Sequence, residues 1–395
     1  MIRSAYTQLP PAFFFSRLTD AVSRYAENHP DRRLLRLGVG DVKGPLAPAV
    51  IEALHRAAEE QSCPETFHGY QPETGTDFLK AAVAAYCRQR NVTLSAGEIF
   101  ISCGAADDLG AIGNLFSADA RVLVTEPAYP AYADVSRMAG RPILHLAGNR
   151  ENGFLPLPTA DTDADLVFLC SPNNPTGAAY TRSQLRKWVD WANARQAVIL
   201  FDAAYEAFIR DAEVPHSIYE LPGAKACAIE ISSLSKTAGF TGMRLGYTAV
   251  PEALVRDGCS LRDMWTRDRT TRTNGVSYML QRAGEAALSP EGLRFSRERI
   301  ADFQENGRIL SETLRKAGVR FTGGRNAPYL WLPCPDGQSG WTFFDRLLEE
   351  AQIVVTPGEG FGEGGEGHVR LSCFGSREDT EEAAGRLSTF FKKRV

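Results

Sequence analysis

Short runs of apolar residues alternate with helical patterns between about residues 95 and 250. Seven runs are rich in Val, Ile and Leu and mostly lack polar alternation, which predicts strands buried on both faces. These runs lie at 99–102, 121–125, 142–146, 165–170, 197–202, 226–231 and 245–250. The clearest helix between them is predicted at 182–194, where Thr181 and Gln184 have the spacing of a capping box. Strands joined by helical crossovers predict an α/β fold with a mostly parallel sheet flanked by helices.

The pattern changes after about residue 275. A helix is predicted at roughly 292–317 and another at 341–351, with strands at 329–332, 352–355 and 368–373 and a terminal helix. These elements predict a smaller α+β domain. Because 395 residues are too many for one compact core, we expect two domains. The large domain is placed at 42–275, and the small domain at 1–41 with 276–395, where the first 40 residues have no sheet of their own.

Composition narrows the possible partners. The net charge of −4 shows no excess of Lys and Arg, so neither nucleic acid nor a membrane is expected as partner. The eight Cys contain no Cys-x-x-Cys pair and the six His have no ligand spacing, so no metal site is predicted. No apolar run is long enough to span a bilayer. Phe13 to Phe15 are followed by Arg17 and Asp20, as in an amphipathic helix rather than a signal peptide, so a cytoplasmic location is expected.

Residues able to carry chemistry follow the predicted strands. In an open parallel sheet, ligands bind beyond the carboxyl ends of the strands. Small residues after the first strand suit a phosphate at a helix start. The later strands lead into an aromatic turn, an Asn-Pro-Thr-Gly turn, an Asp-x-x-Tyr sequence, and Ser-x-Ser-Lys with an Arg eight residues on. The candidate residues are Ala105, Ala106, Tyr129, Asn174, Asp202, Tyr205, Ser233, Ser235, Lys236 and Arg244.

This order of motifs resembles that of the fold-type I aminotransferases, which depend on pyridoxal 5'-phosphate (PLP), over most of the chain. The resemblance implies that the Lys236 amine forms a Schiff base with PLP and later moves protons. It implies that Asp202 keeps the pyridine nitrogen protonated. Asn174 and Tyr205 would donate hydrogen bonds to the phenolate oxygen, which favours the anion. Lys236, Asp202 and Tyr205 are thus the predicted catalytic residues.

The remaining cofactor contacts follow from the same resemblance. The PLP phosphate would be surrounded by side chains and backbone amides, and the ring would be stacked on an aromatic side chain. The phosphate contacts are Ser233, Ser235, Arg244 and the amides of Ala105 and Ala106, and the stacking residue is Tyr129.

Substrate contacts are also implied. Arg370, in His-Val-Arg-Leu-Ser, matches the arginine that binds the substrate α-carboxylate, and Gly40 matches a backbone contact to the same group, with Asn174 beside it. Tyr70 and Asn274 match residues that reach the cofactor or substrate of the neighbouring subunit. The resemblance therefore implies a homodimer with shared active sites.

Within the class, the sequence is most similar to the LL-diaminopimelate aminotransferases. The matching stretches include Leu-Gly-Val-Gly-Asp-Val at 37–42, His-Gly-Tyr-x-Pro-Glu-x-Gly at 68–75 and Asn-Gly-Val-Ser-Tyr at 274–278. The resemblance implies transfer from LL-diaminopimelate to 2-oxoglutarate in lysine biosynthesis, with Glu73 recognising the distal end of the substrate. Two positions depart from the family, which usually has Tyr at Phe13 and Lys at Ala106. Both are substrate-side groups, and their loss from a polar pocket would shift the substrate preference.

Other functions are compatible with parts of the sequence. The same fold could use another amino donor, or act as a decarboxylase, lyase or racemase. Ser233 and Lys236 also form a Ser-x-x-Lys sequence, as in serine acyl-transfer enzymes, but the Ser-Asp-Asn and Lys-Thr-Gly motifs of that class are missing. A regulator that keeps the fold would need an added DNA-binding domain. The Gly-x-Gly-x-x-Gly at 360–365 lacks the following helix that a dinucleotide site needs.

Overall fold

A computed structural model describes residues 4–10 and 13–392 of the chain. Its strands are β1 (Leu35–Arg36), β2 (Ile99–Ser102), β3 (Val122–Glu126), β4 (Ile143–Ala147), β5 (Leu166–Cys170), β6 (Val198–Asp202), β7 (Ala228–Ser233), β8 (Gly246–Ala249), β9 (Val255–Arg256), β10 (Cys259–Ser260), β11 (Thr322–Gly323), β12 (Tyr329–Pro333), β13 (Ile353–Val354), β14 (Thr356–Pro357) and β15 (His368–Ser372). Its α-helices are α1 (Phe14–Asn28), α2 (Pro48–Glu60), α3 (Asp77–Arg88), α4 (Ala105–Ile112), α5 (Ala131–Met138), α6 (Arg182–Arg195), α7 (Leu234–Thr237), α8 (Leu261–Arg272), α9 (Tyr278–Ala287), α10 (Pro290–Lys316), α11 (Gly340–Ala351) and α12 (Arg377–Lys392).

The seven strands predicted between 95 and 250 form one sheet in the order β2-β8-β7-β6-β5-β3-β4. All neighbours pair in parallel except β8, which is antiparallel to both β2 and β7. The prediction of a mostly parallel seven-stranded sheet is confirmed, with strand ends shifted by at most two residues. The antiparallel direction of β8 was not predicted.

The central strands are buried on both faces, as their apolar sequences indicate. Along β5 and β6, successive side chains point to opposite faces. Val167 and Ile199 pack with Trp188 of α6 on one face, whereas Phe168 and Leu200 pack with Trp265 of α8 on the other. Two apolar layers therefore hold the sheet between helices.

The predicted capping box at the start of α6 is confirmed. The Gln184 amide donates to Thr181 Oγ1, and the Thr181 amide donates to Gln184 Oε1 at 2.9 Å. These bonds satisfy backbone donors that the first helical turn leaves free. They fix the point where the chain leaves the loop that follows β5.

A second sheet has the order β11-β12-β15-β14 and is antiparallel throughout. Its apolar core includes Leu18 and Val22 of α1, so the N-terminal segment packs onto the C-terminal part of the chain as expected. Among the described residues, the first 40 form no sheet of their own, but they contribute one short strand that pairs with the C-terminal part of the chain. Leu35–Arg36 pairs in parallel with Ile353–Val354, because Leu35 and Leu37 are buried in this same core.

The domain boundary predicted at 275 stays a prediction. Ala283 and Ala287 of α9, with Leu288 and Leu293 after it, lie in the core of the large sheet. These contacts favour a boundary within α10, later than the sequence pattern placed it. Among the described residues, no helix is both long and apolar enough to cross a bilayer.

Candidate active site

A cavity of about 400 Å³ lies where the two sheets face each other. The small sheet contributes Tyr329 and Arg370 to its lining, and α1 contributes Phe15, Leu18, Thr19 and Val22. Most of the residues predicted for the site line this one cavity: Gly40, Ala105, Ala106, Tyr129, Asn174, Asp202, Tyr205, Ser233, Ser235, Lys236, Arg244 and Arg370.

Sheet topology explains why these residues meet. The carboxyl ends of β2, β3, β5, β6 and β7 lie at one edge, and each leads directly into candidate residues. Arg244 instead precedes β8, and β8 is antiparallel to its neighbours. The amino end of β8 therefore lies at the same edge as the carboxyl ends of the other strands. Because β8 runs in the opposite direction, Arg244, which follows Lys236 in the sequence, also lies at this edge.

The Lys236 side chain lines the cavity. Its Nζ donates to the Gly40 carbonyl and lies 5.5 Å from the centre of the Phe374 ring. Burial lowers the pKa of Lys236 to about 8; Asp41 opposes this shift, and the cations Arg370 and Arg244 add to it. A lysine with such a pKa is neutral more often at neutral pH, which a nucleophile or a proton acceptor requires.

The Asp202 carboxylate is buried, with 6% of the residue exposed. Its Oδ2 accepts from the Tyr132 hydroxyl at 2.6 Å, and its Oδ1 accepts from the Ala204 amide at 3.0 Å. Burial raises the pKa of Asp202, and these two hydrogen bonds act in the opposite direction. The carboxylate has no ion pair with any described residue. A buried carboxylate without a cation fits a positively charged ligand atom, such as a protonated ring nitrogen.

Tyr205 is held by a residue from the other sheet. Its hydroxyl lies 2.8 Å from that of Tyr329, and the two rings meet edge to face. Tyr329 also leaves no room for a side chain at position 40, because a Cβ at Gly40 would collide with the Tyr329 hydroxyl. Burial raises the pKa of Tyr205 well above its usual value, so its hydroxyl stays protonated and can donate.

Arg370 is the most buried cation of the site, with 1% of the residue exposed. It donates to Asn174 Oδ1 at 2.5 Å and to the Gly38 carbonyl at 2.7 Å, while its Nε has no partner among the described residues. No described carboxylate pairs with it. The guanidinium therefore lacks a counter-charge, and a substrate carboxylate would supply one.

A group of donors surrounds the start of α4. Gly104 precedes this helix at φ 108°, and a Cβ there would lie 2.6 Å from Arg244 Nη2. Arg244 donates to Ser235 Oγ at 3.2 Å, and the Ser235 amide donates to Ser233 Oγ at 3.1 Å. A guanidinium, two hydroxyls and a helix N-terminus fit a phosphate.

Four predicted residues do not line the cavity of the single chain. Tyr70 is 88% exposed, Asn274 is exposed and Glu73 is partly exposed. Phe13 is 40% exposed and lines a neighbouring cavity, with Tyr129 as a shared wall. The segments around Tyr70 and Asn274 do contact each other, because a Cβ at Gly275 would collide with the carbonyls of Gln71 and Pro72. Since none of the four residues lines the cavity of its own chain, their predicted roles stay predictions.

Sequence reasoning missed four residues. Tyr132 and Tyr329 hold predicted residues in place, and Arg36 and Asp41 line the cavity. Tyr132 lies three residues after Tyr129, at the end of the same aromatic turn, so a signal was present in the sequence. Tyr329 and Arg36 lie in apolar stretches whose sequence does not show which sheet edge they face.

Comparison with known proteins identifies the family. Residues 32–387 match the family described as aminotransferase class I and II. The chain belongs to this family. It is a PLP-dependent aminotransferase, and the residues described above fit the cofactor. The Ser-x-x-Lys interpretation is therefore wrong. Ser233 instead caps α7 by accepting from the Ser235 amide.

Relatives match along the whole chain. The aminotransferase is 46% identical over 399 residues to an LL-diaminopimelate aminotransferase of Lachnospira eligens, with 98% of each chain covered. A Bacteroides fragilis protein of the same name is 45% identical over 405 residues, again with 98% of each covered. The solved L,L-diaminopimelate aminotransferase from Chlamydomonas reinhardtii superimposes with a TM-score of 0.94 at 38% identity, covering 99% of this chain and 98% of that one.

Proposed function

We propose that this aminotransferase transfers an amino group from LL-diaminopimelate to 2-oxoglutarate, as a step of lysine biosynthesis. The observation that carries the proposal is that one cavity contains the Lys236 amine and the Arg370 guanidinium, which has no carboxylate partner among the described residues. The full-length relatives named LL-diaminopimelate aminotransferase support the choice of donor.

Most of the candidate residues that line the cavity would contact the cofactor. PLP, when bound, supplies an electron-accepting ring. Asp202 would bind the protonated ring nitrogen. Asn174 and Tyr205 would donate hydrogen bonds to the phenolate oxygen. Tyr129 would lie against the ring face. Ser233, Ser235 and Arg244, with the amides of Ala105 and Ala106, would hold the phosphate.

The substrate contacts follow from the remaining groups. Arg370 would bind the α-carboxylate, with Gly40 and Asn174 beside it. This places the substrate α-carbon near the Lys236 amine, whose lowered pKa lets it accept the α-proton at neutral pH. Holding both groups in one geometry accounts for much of the rate gain expected of such a site.

Turnover with purified protein tests this function. With PLP, LL-diaminopimelate and 2-oxoglutarate, the protein is expected to form glutamate. Lys236→Ala should abolish this activity, and Lys187→Ala, a change at an exposed lysine outside the cavity, should not. Activity with a monoamino acid but none with LL-diaminopimelate would reject the proposed donor.

We propose further that the active form is a homodimer. Tyr70 and Phe67 are 88% and 63% exposed on one segment, which supports burial against a second copy. Asn274 and Glu73 would then belong to the partner's site. Glu73 would contact the distal end of the donor there. A division into two domains, with the boundary within α10 rather than at residue 275, and a cytoplasmic location are part of the same proposal.

Subunit mixing tests the shared site. Tyr70→Ala and Lys236→Ala variants should each be inactive, but a mixed dimer contains one complete site if Tyr70 acts across the interface. Co-expression of the two variants is then expected to restore up to half the activity per mixed dimer. No recovery in a mixed dimer verified by mass would contradict the shared site.

A further inference from the structure

Asp108, the fourth residue of α4, is a buried carboxylate with 0% of the residue exposed. Its Oδ2 accepts from Ser102 Oγ and from Thr248 Oγ1, each at 2.6 Å. Its Oδ1 has no hydrogen-bond partner among the described residues, and no described cation forms an ion pair with the carboxylate. Burial of an unpaired charge is costly, so the neutral carboxylic acid is favoured at this position.

The contacts of Asp108 join α4 to two strands of the large sheet. Ser102 is the last residue of β2, and Thr248 lies in the neighbouring strand β8. The Ser102 hydroxyl also accepts from the Gly104 amide at 3.4 Å. A chain of hydrogen bonds therefore runs from Asp108 through Ser102 to the residue that precedes the helix, and it fixes the first helical turn against the sheet.

This helical turn lies close to the residues that would hold the cofactor phosphate. A Cβ at Gly104 would lie 2.6 Å from Arg244 Nη2. A Cβ at Gly246 would lie 3.1 Å from the Ala105 nitrogen. Because an α-helix rises about 1.5 Å per residue, Asp108 lies about 4.5 Å behind Ala105 along the helix axis. A negative charge there would compete with a phosphate for the positive end of the helix.

We propose that Asp108 is a positioning residue for the cofactor phosphate, which as a neutral carboxylic acid holds the first turn of α4 so that its amides face the phosphate. The inference rests on the proposed placement of the phosphate at the start of α4, and it does not depend on the identity of the amino donor. Amides that are already fixed bind an anion more tightly because less freedom is lost on binding. An ionised Asp108 would weaken the same contact, because two anions would share one helix end.

The surroundings of Asp108 favour the neutral form. Burial raises the pKa of Asp108 to about 7, and the hydrogen bonds from Ser102 and Thr248 act in the opposite direction. Three other titratable or charged groups interact with it: Asp107 of α4, Arg269 of α8 and Cys103 between β2 and α4. A bound phosphate adds negative charge and raises the pKa further. Above about pH 7, phosphate binding is then coupled to uptake of a proton by Asp108, so the affinity falls as the pH rises.

The ratio of two dissociation constants isolates the phosphate contact. Pyridoxal lacks the phosphate of PLP, so the dissociation constant of pyridoxal divided by that of PLP measures what the phosphate contributes. Both constants are obtained by fluorescence titration of the cofactor-free protein. Imine formation at Lys236 is common to the two ligands and cancels in the ratio. The phosphate ionises in the same way in every titration, so variants are compared at each pH from about 6 to about 9.

Asp108→Asn keeps the shape of the side chain but cannot ionise. Its ratio should equal that of the wild-type within about twofold at about pH 6, and the wild-type ratio should then fall below it by up to about tenfold per pH unit above about pH 7. Asp108→Ala removes both hydrogen bonds and should lower the ratio by about tenfold even at about pH 6. Asp107→Asn, which removes an exposed carboxylate from the same helical turn, should keep the pH dependence of the wild-type.

Parallel profiles of the wild-type and Asp108→Asn at every pH would overturn the inference, and so would a wild-type ratio in Asp108→Ala at about pH 6. If Asp108→Ala does not fold, the comparison with Asn still tests the inference. Arg244→Met separates the two possible failures. An unchanged ratio in Arg244→Met would show that the phosphate lies elsewhere, whereas a lowered ratio together with parallel profiles would reject the role of Asp108 alone.

Discussion

Replacing Lys236 with Met isolates the free energy associated with its buried amine. In the cofactor-free protein, burial lowers the pKa of Lys236 from 10.5 to about 8. Between these values the folded state has released the proton and the unfolded state still binds it, so stability rises with pH. At about 1.4 kcal/mol for each tenfold change, the wild-type should gain about 2 to 3 kcal/mol over Lys236→Met between about pH 7 and about pH 10.

Urea unfolding of both cofactor-free proteins at a series of pH values measures this difference. Other titrating groups, such as the buried Lys80, are present in both proteins and cancel in the comparison. Met keeps the apolar stem at position 236, so packing changes little. A stability difference that stays constant over this pH range, or that shrinks as the pH rises, would show that the amine is not desolvated.

Three further predictions concern the residues around the cofactor and substrate. Tyr132→Phe removes a hydrogen bond that lowers the pKa of Asp202, so the acid limb of the kcat/KM profile should move to higher pH; an unmoved limb would contradict this role. Arg370→Lys should reduce kcat/KM for every amino donor by about tenfold to a hundredfold because a bidentate contact is lost, and unchanged values would exclude the α-carboxylate contact. Gly104→Ala, at φ 108° and 2.6 Å from Arg244, should raise the dissociation constant of PLP in a fluorescence titration, whereas an unaltered constant would show that the phosphate lies elsewhere.

Local sequence determined much of this architecture. The seven strands were predictable because each is a short apolar run buried on both faces, and 99–102 matches β2 at both ends. The motifs after the strands were predictable in position because a parallel sheet gathers carboxyl ends at one edge. The direction of β8 was not predictable, because Gly246–Ala249 is as buried as the parallel strands β5 and β6 and its sequence does not show which way it runs.

Contacts between the two sheets could not be read from the sequence. Asn174 and Arg370 are 196 positions apart, and Tyr205 and Tyr329 are 124 apart, so no local pattern joins them. Tyr70 shows the opposite case. Its motif was evident in the sequence, but a single chain leaves the side chain 88% exposed, and its role remains a prediction until a dimer is tested.

The charges of the site also relate substrate binding to the basicity of the amine. Arg370 is one of the cations that lower the pKa of Lys236, and it has no carboxylate partner among the described residues. A substrate carboxylate bound to Arg370 would cancel this repulsion, so the affinity of Lys236 for a proton would rise when a substrate is present. In the empty site the amine is therefore a weaker base, which favours the neutral form that acts as a nucleophile. With a substrate bound it is a stronger base, which favours transfer of the α-proton to it.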